Sequence, residues 1–414
     1  MPASRRDHVM NALDHIEPAK VPVDFGGHRS SGIMVQAYRR LREYLGLDKR
    51  PVRVYDVVQQ LAEIDEDVLN RFDADAIELG RGFCREDDWW REWRAADGTE
   101  CLVPRWFDLR REGDDRLMYS ATGRPIAVQK KDCLYFEQIH WPFVEGIPAD
   151  LSCLPDALGE VMWGVPTPPG PAAPDAKVLA EGAKRLRAST DRAIIGLFGG
   201  NLMEWAQFLC RIDNFLYLLA ADPAAVHRLL DALTEMHLAD LDAYLDAVGE
   251  HIDIILFGDD LGMQTGPQIS PAMYRAFFKP RHKALWTRAK ETADVRVILH
   301  CCGGIRPILG DLIEAGIDTT NPVQTTCTGM DAAGLKRDFG DRVCLWGGGC
   351  DTRSILPAGT PAEVRRHVLD QLRILAPGGG FVFQQVHNIL ADVPPENIVA
   401  MFDAVAEFNG QGAG

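Results

Sequence analysis

Val295-Arg-Val-Ile-Leu-His300-Cys301-Cys302-Gly303-Gly304 is an apolar, β-branched run that stops at a histidine, two cysteines and two glycines. A second segment of the same design is Val343-Cys-Leu-Trp-Gly-Gly-Gly-Cys350-Asp351. Short apolar runs bounded by glycine are typical of buried strands. In an α/β barrel the polar functional groups follow the carboxyl ends of such strands. The two segments therefore predict parallel strands whose ends meet at one face of the molecule.

The same order of strand, polar or glycine-rich turn and helix recurs along the chain about eight times, the number that a TIM barrel requires. Strands that alternate with helices favour a parallel sheet. The sequence therefore predicts an α/β fold, a TIM (β/α)8 barrel forming a single domain over residues 1–414. A doubly wound open sheet is the alternative, but no early Gly-x-Gly-x-x-Gly turn supports it.

Residues 83–175 interrupt this alternation. The segment is rich in tryptophan and carries hairpin signals at Asp97-Gly98 and Thr122-Gly123. It predicts a β-rich insertion or lid after the second strand, ending in the stiff, proline-rich connector Pro166–Pro171. Just before it, the apolar spacing of Val57–Phe72 predicts a helix.

Composition narrows the classes of function. The formal net charge is −16 and the sequence pI is about 5.1, which argues against a nucleic-acid partner because that partner needs a basic face. No apolar run approaches the roughly 20 residues that span a bilayer, and the start lacks a secretory core. We expect a cytoplasmic protein without a membrane partner, in which the ten cysteines are reduced thiols or metal ligands.

His300, Cys302 and Cys350 are candidate ligands of one metal ion. Neutral imidazole and thiolate are ligands that Zn²⁺ prefers, and catalytic zinc keeps three protein ligands and an open position. Neighbouring residues of a strand point to opposite faces, so His300 and Cys302 share a face and Cys301 points away.

Several groups compete for the remaining positions around such a metal. The fourth ligand could be water, substrate or a carboxylate, with Asp260 preferred and Asp259 as its alternative. Cys327 lies in a predicted loop and could also compete. Asp260 and His387 both follow predicted strands, so either could orient substrate or handle a proton. The other strand-end residues, which we expect to bind substrate, are Gly27, Arg29, Arg81, Asn201, Asn321, Gln324 and Asn388.

The chain also resembles a known family. The matching motifs begin with Val9-Met-Asn-Ala-Leu13 and Val21-Pro-Val-Asp24 and extend over most of the chain apart from residues 83–175. They resemble the uroporphyrinogen decarboxylase superfamily, which includes corrinoid-linked methyltransferases. The other motifs are Phe257–Gly262, Ser270–Tyr274, Phe278–Pro280, His300–Gly303, Asn321–Gln324 and Gly347–Asp351.

The resemblance implies a particular branch of that superfamily. Methyltransferase members use a His-x-Cys pair and a later cysteine as zinc ligands, at the positions of His300, Cys302 and Cys350. Decarboxylase members carry an arginine-rich signature near the first strand, where Phe25–Gly32 has only Arg29. The resemblance therefore implies a zinc-dependent methyltransferase of the O-demethylase type, acting on a small methoxylated or methylated compound.

The methyl acceptor follows from the same reasoning. The chain shows no Asp-x-His-x-x-Gly cobalamin-binding signature, so a corrinoid is expected on a separate protein. That partner should dock near Gly27, Asn201 and His387, and a homo-oligomer is compatible with the sequence. Two alternatives stay open: a metal-free decarboxylase or lyase on the same barrel, and a non-catalytic zinc-stabilised subunit of a methyltransferase complex.

Overall fold

The computed structural model describes residues 3–165 and 176–411. Its centre is a seven-stranded sheet in which every neighbouring pair is parallel. Parallel strands joined through helices give the mixed α/β class that the sequence predicts. From one edge to the other, the strands are Phe381–Val382, Cys344–Trp346, Thr319–Asn321, Arg296–His300, Ile254–Gly258, Ala193–Gly199 and Ala76–Glu78.

The two edges of this curled sheet approach each other through the segment around Val23. Val23 forms a parallel bridge with Phe383 at one edge, and the carbonyl of Val23 accepts a hydrogen bond of 2.7 Å from the Asp75 amide beside the other edge. Closing a sheet removes its unpaired edges. The sheet therefore has the TIM-like form that the sequence predicts.

Alternation along the strands separates two hydrophobic layers. Ile254 and Leu256 pack in an inner cluster with Ile298 and Trp346, because every second side chain points into the barrel. Val9, Ala12 and Leu13 of the N-terminal helix Arg5–Leu13 belong to the same cluster. That helix therefore closes the end of the barrel opposite the strand ends.

Helices cover the outer face of the sheet. The helices Ile212–Ala221 and Pro223–Val248 are separate, because Asp222 caps the second by accepting a hydrogen bond from the Ala225 amide. Asp222 separates the two helices. The helices are Arg5–Leu13, Val35–Tyr44, Glu66–Arg71, Leu154–Gly159, Ala176–Ser189, Met203–Cys210, Ile212–Ala221, Pro223–Val248, Pro271–Met273, Tyr274–Phe278 (π), Lys279–Thr292, Arg306–Ala315, Ala332–Phe339, Ile355–Ala358, Pro361–Leu375 and Pro395–Gln411.

Two further sheets of four strands each lie between the N-terminal region and residue 138. The first is mixed and the second is antiparallel throughout. That these strands form an insertion stays a prediction, and the connector Pro166–Pro171 lies outside the described residues. The strands, in spatial order, are Leu61–Ala62, Val52–Asp56, Glu100–Pro104 and Trp90–Arg94, then Asp108–Glu112, Asp115–Tyr119, Pro125–Gln129 and Glu137–Gln138.

The helix predicted over Val57–Phe72 is wrong in its first part. Leu61–Ala62 pairs with Val52–Asp56 as a strand, and Gln60 adopts a φ of 56°, a left-handed conformation that interrupts a helix. Only Glu66–Arg71 is helical. In the described residues, no helix is long and apolar enough to cross a membrane.

Asp253 joins three elements at the amino ends of the strands. Its side chain is only 1% exposed and accepts hydrogen bonds from the Ile194 amide at 2.8 Å and from Arg187 Nη1 at 2.7 Å. Arg6 of the N-terminal helix pairs with the other carboxylate oxygen. The carboxylate thus ties the N-terminal helix and the helix Ala176–Ser189 to the sheet.

We predict that Asp253→Ala lowers the free energy of unfolding by about 3 kcal/mol, because it leaves a buried amide and Arg187 without their acceptor. Asp403→Ala is the control, since it removes a solvent-exposed ion pair with Arg71 and should cost less than about 1 kcal/mol. Urea unfolding measures both values. Equal losses in the two variants would contradict the role assigned to Asp253.

Candidate active site

A cavity of about 660 Å³ lies at the carboxyl ends of the parallel strands. Its walls on the side of the helices are largely apolar and aromatic, and its polar groups come both from the strand ends and from the helices Met203–Cys210 and Pro223–Val248. A concave apolar space with a few convergent polar groups is the usual form of a small-molecule site. The polar lining comprises His28, Arg29, Ser30, Gln59, Glu78, Asn201, Glu204, His237, Asp240, Tyr244, Asp260, His300 and His387.

His300 and Cys302 form a pair at this face. His300 ends the strand Arg296–His300, and its Nε2 lies 3.4 Å from Cys302 Sγ. Cys301 faces the other way, where its sulfur accepts a hydrogen bond from the Leu261 amide. The prediction that His300 and Cys302 share a face is confirmed.

The amide of Asn321 orients His300. Asn321 Nδ2 donates to Trp346 O at 2.9 Å and to Gln384 Oε1 at 2.7 Å, so Oδ1 must face the remaining neighbours. Oδ1 accepts from Ser30 Oγ at 2.6 Å and lies 2.8 Å from His300 Nδ1. The proton of neutral His300 therefore sits on Nδ1, and the Nε2 lone pair faces Cys302. An oriented imidazole of this kind is typical of a metal ligand.

His387 lies beside this pair. Ligand atoms of His300, Cys302 and His387 all lie within 4.8 Å of one another. Burial, followed by the imidazoles of His300 and His28, lowers the pKa of His387 to about 3, so it is neutral at physiological pH. The Asn388 amide donates to His387 Nδ1 at 2.8 Å, which leaves the proton on Nε2. In this arrangement His387 offers a hydrogen-bond donor, and acting as a metal ligand would require it to change tautomer.

Two acids stand next to the pair. Asp260 Oδ1 accepts a hydrogen bond of 2.7 Å from the Cys302 amide and lies 3.7 Å from His300 Nε2. Glu204 Oε2 accepts from the Asp260 amide at 3.2 Å and from the Asn201 side chain. Burial, followed by the charges of Asp260 and Asp259, raises the pKa of Glu204 well above its usual range. A protonated carboxyl can donate a hydrogen bond in the cavity.

Asp259 is the alternative to Asp260 as the predicted carboxylate ligand. In the structure, its carboxylate binds the backbone at the start of a helix. It is fully buried and accepts hydrogen bonds of 3.0 Å from the Met203 and Glu204 amides. His282 Nε2 lies 3.0 Å from Oδ2, the oxygen that also accepts from the Met203 amide. Asp259 therefore caps the helix Met203–Cys210 and thereby fixes Glu204 at the cavity.

Two backbone segments cross at contact distance beside Cys302. A Cβ atom on Gly262 would lie 2.3 Å from Cys302 O, and one on Gly303 would lie 2.4 Å from Gly262 C. Gly303 also has a φ of 91°, a conformation that favours glycine. No side chain fits at either position, so this crossing fixes the turn that carries Cys302.

The remaining predicted residues divide into two groups. Arg29 and Asn201 line the cavity together with His300, His387 and Asp260. The others do not belong to the described lining. Asn321 lies beneath His300, the Asn388 side chain bonds Gly32 and Gln59, Gln324 accepts from Gly303, Gly27 bonds Asp24, and Arg81 donates to Ile64 O. Their assignment to substrate binding stays a prediction.

Cys350 and Cys327 lie apart from the pair. Cys350 is fully buried, and its sulfur lies 3.9 Å from Asp351 O. Cys327 contacts Gln264 Oε1 at 3.4 Å. Among the described residues, neither belongs to the group of ligand atoms around His300. The assignment of Cys350 as a ligand stays a prediction that His387 now contests.

Sequence reasoning missed Glu204 and Glu78. Glu78 is a charged residue at the end of the apolar strand Ala76–Glu78, just before Gly80, which is a readable signal of a strand-end functional group. Glu204 lies in the first turn of the helix after Gly199-Gly200-Asn201. Its proximity to Asp260 follows from the adjacency of two strands and has no local signal.

The protein-family model for uroporphyrinogen decarboxylase (URO-D) matches residues 164–408, which are more than half of the chain. The chain combines a TIM-like α/β fold with a cavity at the carboxyl ends of its strands. It is a member of the uroporphyrinogen decarboxylase family.

Individual relatives agree with this membership. Uroporphyrinogen decarboxylase of Nocardia farcinica is 31% identical over 193 residues, which are 46% of this chain and 51% of the relative. That of Legionella pneumophila is 30% identical over 202 residues, or 49% and 52%. The chain thus spans about half the length of these curated relatives.

A solved methyltransferase from Methanosarcina mazei is similar in fold. It has a TM-score of 0.57 and 18% identity, covering 98% of this chain and 99% of that one. At this identity the likeness concerns the fold alone.

We predict that Zn²⁺ binding to the metal-free protein at pH 7 releases protons. Burial, followed by the charge of Asp260, raises the pKa of the Cys302 thiol well above its usual range, so the thiol is protonated until a cation binds. One proton is expected if His387 completes the ligand set, and two if Cys350 does, because burial also raises the pKa of Cys350. Protons compete with the metal, so affinity should fall as pH falls.

Calorimetry in buffers of different ionisation enthalpy measures this release. Cys302→Ala should abolish the release, because it removes a ligand and with it stoichiometric zinc binding. Zinc binding to the unaltered protein without any proton release would contradict the prediction.

Proposed function

We propose that this protein is a zinc-dependent methyltransferase that moves a methyl group from a small methoxylated or methylated compound to a corrinoid protein. The observation that carries the proposal is the pair of His300 Nε2 and Cys302 Sγ, oriented by Asn321 beside a cavity for a small molecule. The solved methyltransferase from Methanosarcina mazei has a similar fold, which supports the proposal that this fold can carry out methyl transfer.

The donor set fits zinc. Tetrahedral zinc with nitrogen at about 2.05 Å and sulfur at about 2.3 Å places the two ligand atoms about 3.5 Å apart, and the observed separation is 3.4 Å. His300 and Cys302 would hold the metal, with His387 or Cys350 as the third ligand. When bound, zinc supplies Lewis-acid polarisation of a leaving heteroatom or lowers the pKa of a thiol.

The chain's own residues would prepare the donor for transfer. The aromatic walls exclude water and position the methyl group. Asp260 keeps Cys302 in place through its amide and could orient the leaving group. Burial and the neighbouring negative charges raise the pKa of Glu204 and so favour its protonated form, which could donate a proton or a hydrogen bond to the leaving heteroatom.

The methyl acceptor in this proposal is a corrinoid on a separate protein, docked at the strand-end face near Gly27, Asn201 and His387. The chain lacks its own cobalamin signature. The chain has a formal charge of −16. If the docking face of the partner is basic, the association rate should fall as salt rises, because the attraction between the two proteins is screened over about 8 Å at physiological salt.

Decarboxylation is the second candidate, and the names of the Nocardia farcinica and Legionella pneumophila relatives favour it. Uroporphyrinogen carries many carboxylates, and these need cationic partners. Among the described residues that line the cavity, Arg29 is the one arginine or lysine, against the four acids Glu78, Glu204, Asp240 and Asp260. This charge distribution weighs against a polycarboxylate substrate.

The zinc ligands can be tested one by one. Cys302→Ala should abolish stoichiometric zinc while the barrel stays folded, because a two-ligand site holds zinc weakly. Cys350→Ala and His387→Ala form the deciding pair, and zinc content should fall in the variant that removes the third ligand. Metal analysis and circular dichroism give the two readouts. Full zinc content in Cys302→Ala would refute the assignment.

The reaction itself is tested by supplying reduced cob(I)alamin, or a cognate corrinoid protein, with candidate methyl donors and following methylcobalamin by absorbance. Asp260→Asn should lower turnover by about 10²-fold, the lower range for loss of a positioned acid–base group, without unfolding the protein. If no methylcobalamin forms while CO₂ is released from a carboxylated substrate, decarboxylation is the function.

A further inference from the structure

Glu78 is a buried carboxylate without a partner. It ends the strand Ala76–Glu78, is 5% exposed, and lines the cavity. Within residues 3–165 and 176–411, its carboxylate accepts no hydrogen bond and has no cation within salt-bridge distance. Burial raises its pKa to about 7, and the charge of Arg29 opposes that rise. Unpaired buried charge is costly, so such a group points to a ligand that completes it.

The surroundings of Glu78 are aromatic. Tyr244 lies close enough that the charge of Glu78 adds to burial in raising the tyrosine pKa. The Phe198 ring centroid is 5.9 Å from that of Tyr244, and Phe83 lines this cavity and, together with Glu78, a second and smaller one. Aromatic faces beside a carboxylate favour an organic cation, because the ring quadrupole and the charge attract it together.

Arg29 is the cation whose charge acts most on Glu78, but Glu78 shares it with a second acid. Arg29 Nε lies 4.0 Å from Oδ2 of Asp56, a fully buried carboxylate. Arg29 thus faces an acid of its own, and the cavity as a whole keeps an excess of acids over cations among its described lining.

The position of Glu78 separates it from the His300–Cys302 pair. The strands Ala193–Gly199 and Ile254–Gly258 lie between the strands that carry Glu78 and His300. Three strand spacings amount to roughly 14 Å along the sheet. A ligand that reaches both ends would carry its charged group and its methyl group at opposite ends.

We infer that the cavity takes a methyl donor bearing an ammonium group, held by Glu78 and the aromatic side chains of Tyr244, Phe198 and Phe83, with the methyl group directed to His300 and Cys302. This inference rests on the proposed function and names its substrate class. Anionic methoxylated compounds are excluded by the same charge.

Three matched probes test the inference: para-methoxyphenethylamine, para-methoxyphenethyl alcohol and para-methoxyphenylacetate. They share one ring and methoxy group and differ in the charge at the other end. Calorimetry on the zinc-loaded protein and on the metal-free protein measures their binding. The amine should bind at least about tenfold more tightly than the alcohol, and the acetate most weakly.

Glu78→Gln keeps the shape of the side chain and removes its charge, so the preference for the amine over the alcohol should fall towards one. Glu204→Gln is the matched control at the metal end and should leave that preference unchanged. The inference is overturned if the acetate or the alcohol binds as tightly as the amine, or if the amine shows no binding at millimolar concentration. It is also overturned if Glu204→Gln, and not Glu78→Gln, removes the preference.

The affinity ratio in the unaltered protein keeps the test decisive if Glu78→Gln does not fold. The binding measurements require no corrinoid, so a failure of the ligand inference can be distinguished from a failure of the proposed function. If the amine preference holds and no methyl transfer occurs, the proposed function falls while the ligand class stands. If methyl transfer occurs only with anionic donors, the proposed function stands and the inferred ligand class falls.

Discussion

The side-chain amide of Asn321 is the contact on which the strand-end face depends. It satisfies a carbonyl, a second amide, a hydroxyl and an imidazole at once, from four separate segments of the chain. Each partner is buried or half-buried, so loss of the amide would remove one hydrogen bond from each of the four groups. Ser30 Oγ and Gln384 Oε1 would keep their contacts with His28, and a group left unpaired costs about 1–3 kcal/mol. The same contact decides which nitrogen of His300 carries its proton, so packing and chemistry are coupled at this residue.

The buried acid Asp259 positions the part of the cavity wall that carries Glu204. Asp259 accepts from the first amides of the helix Met203–Cys210 with both oxygens, and His282 contacts Oδ2, the oxygen that also accepts from Met203. Two adjacent residues of one strand-end turn therefore have different tasks. Asp259 builds the wall that carries Glu204, and Asp260 faces the cavity. Local sequence cannot distinguish them, since both are aspartates after the same apolar strand.

The sequence predicted those features that depend only on the two-residue period of a strand and on the order of strands and helices along the chain. The two-residue period placed His300 and Cys302 on one face and Cys301 on the other, and the regular alternation indicated the parallel sheet. It was less informative where contacts cross the barrel. His387 reaches His300 through the curvature of the sheet, and the 5.5 Å between their ring centroids has no counterpart in local spacing. The helix predicted over Val57–Phe72 failed because pairing with Val52–Asp56 outweighed the helical period of the segment.

The crossing of Gly262 and Gly303 has a consequence for how this cavity can diversify. Backbone atoms meet there at contact distance, so neither sequence drift nor laboratory redesign can add a side chain beside Cys302 without displacing the turn. The helix-borne wall of Trp205 and Phe208 consists of side chains and can change in size at little cost to the barrel. New substrate preferences in such a scaffold should therefore arise on the helical side, while the cysteine turn stays constant.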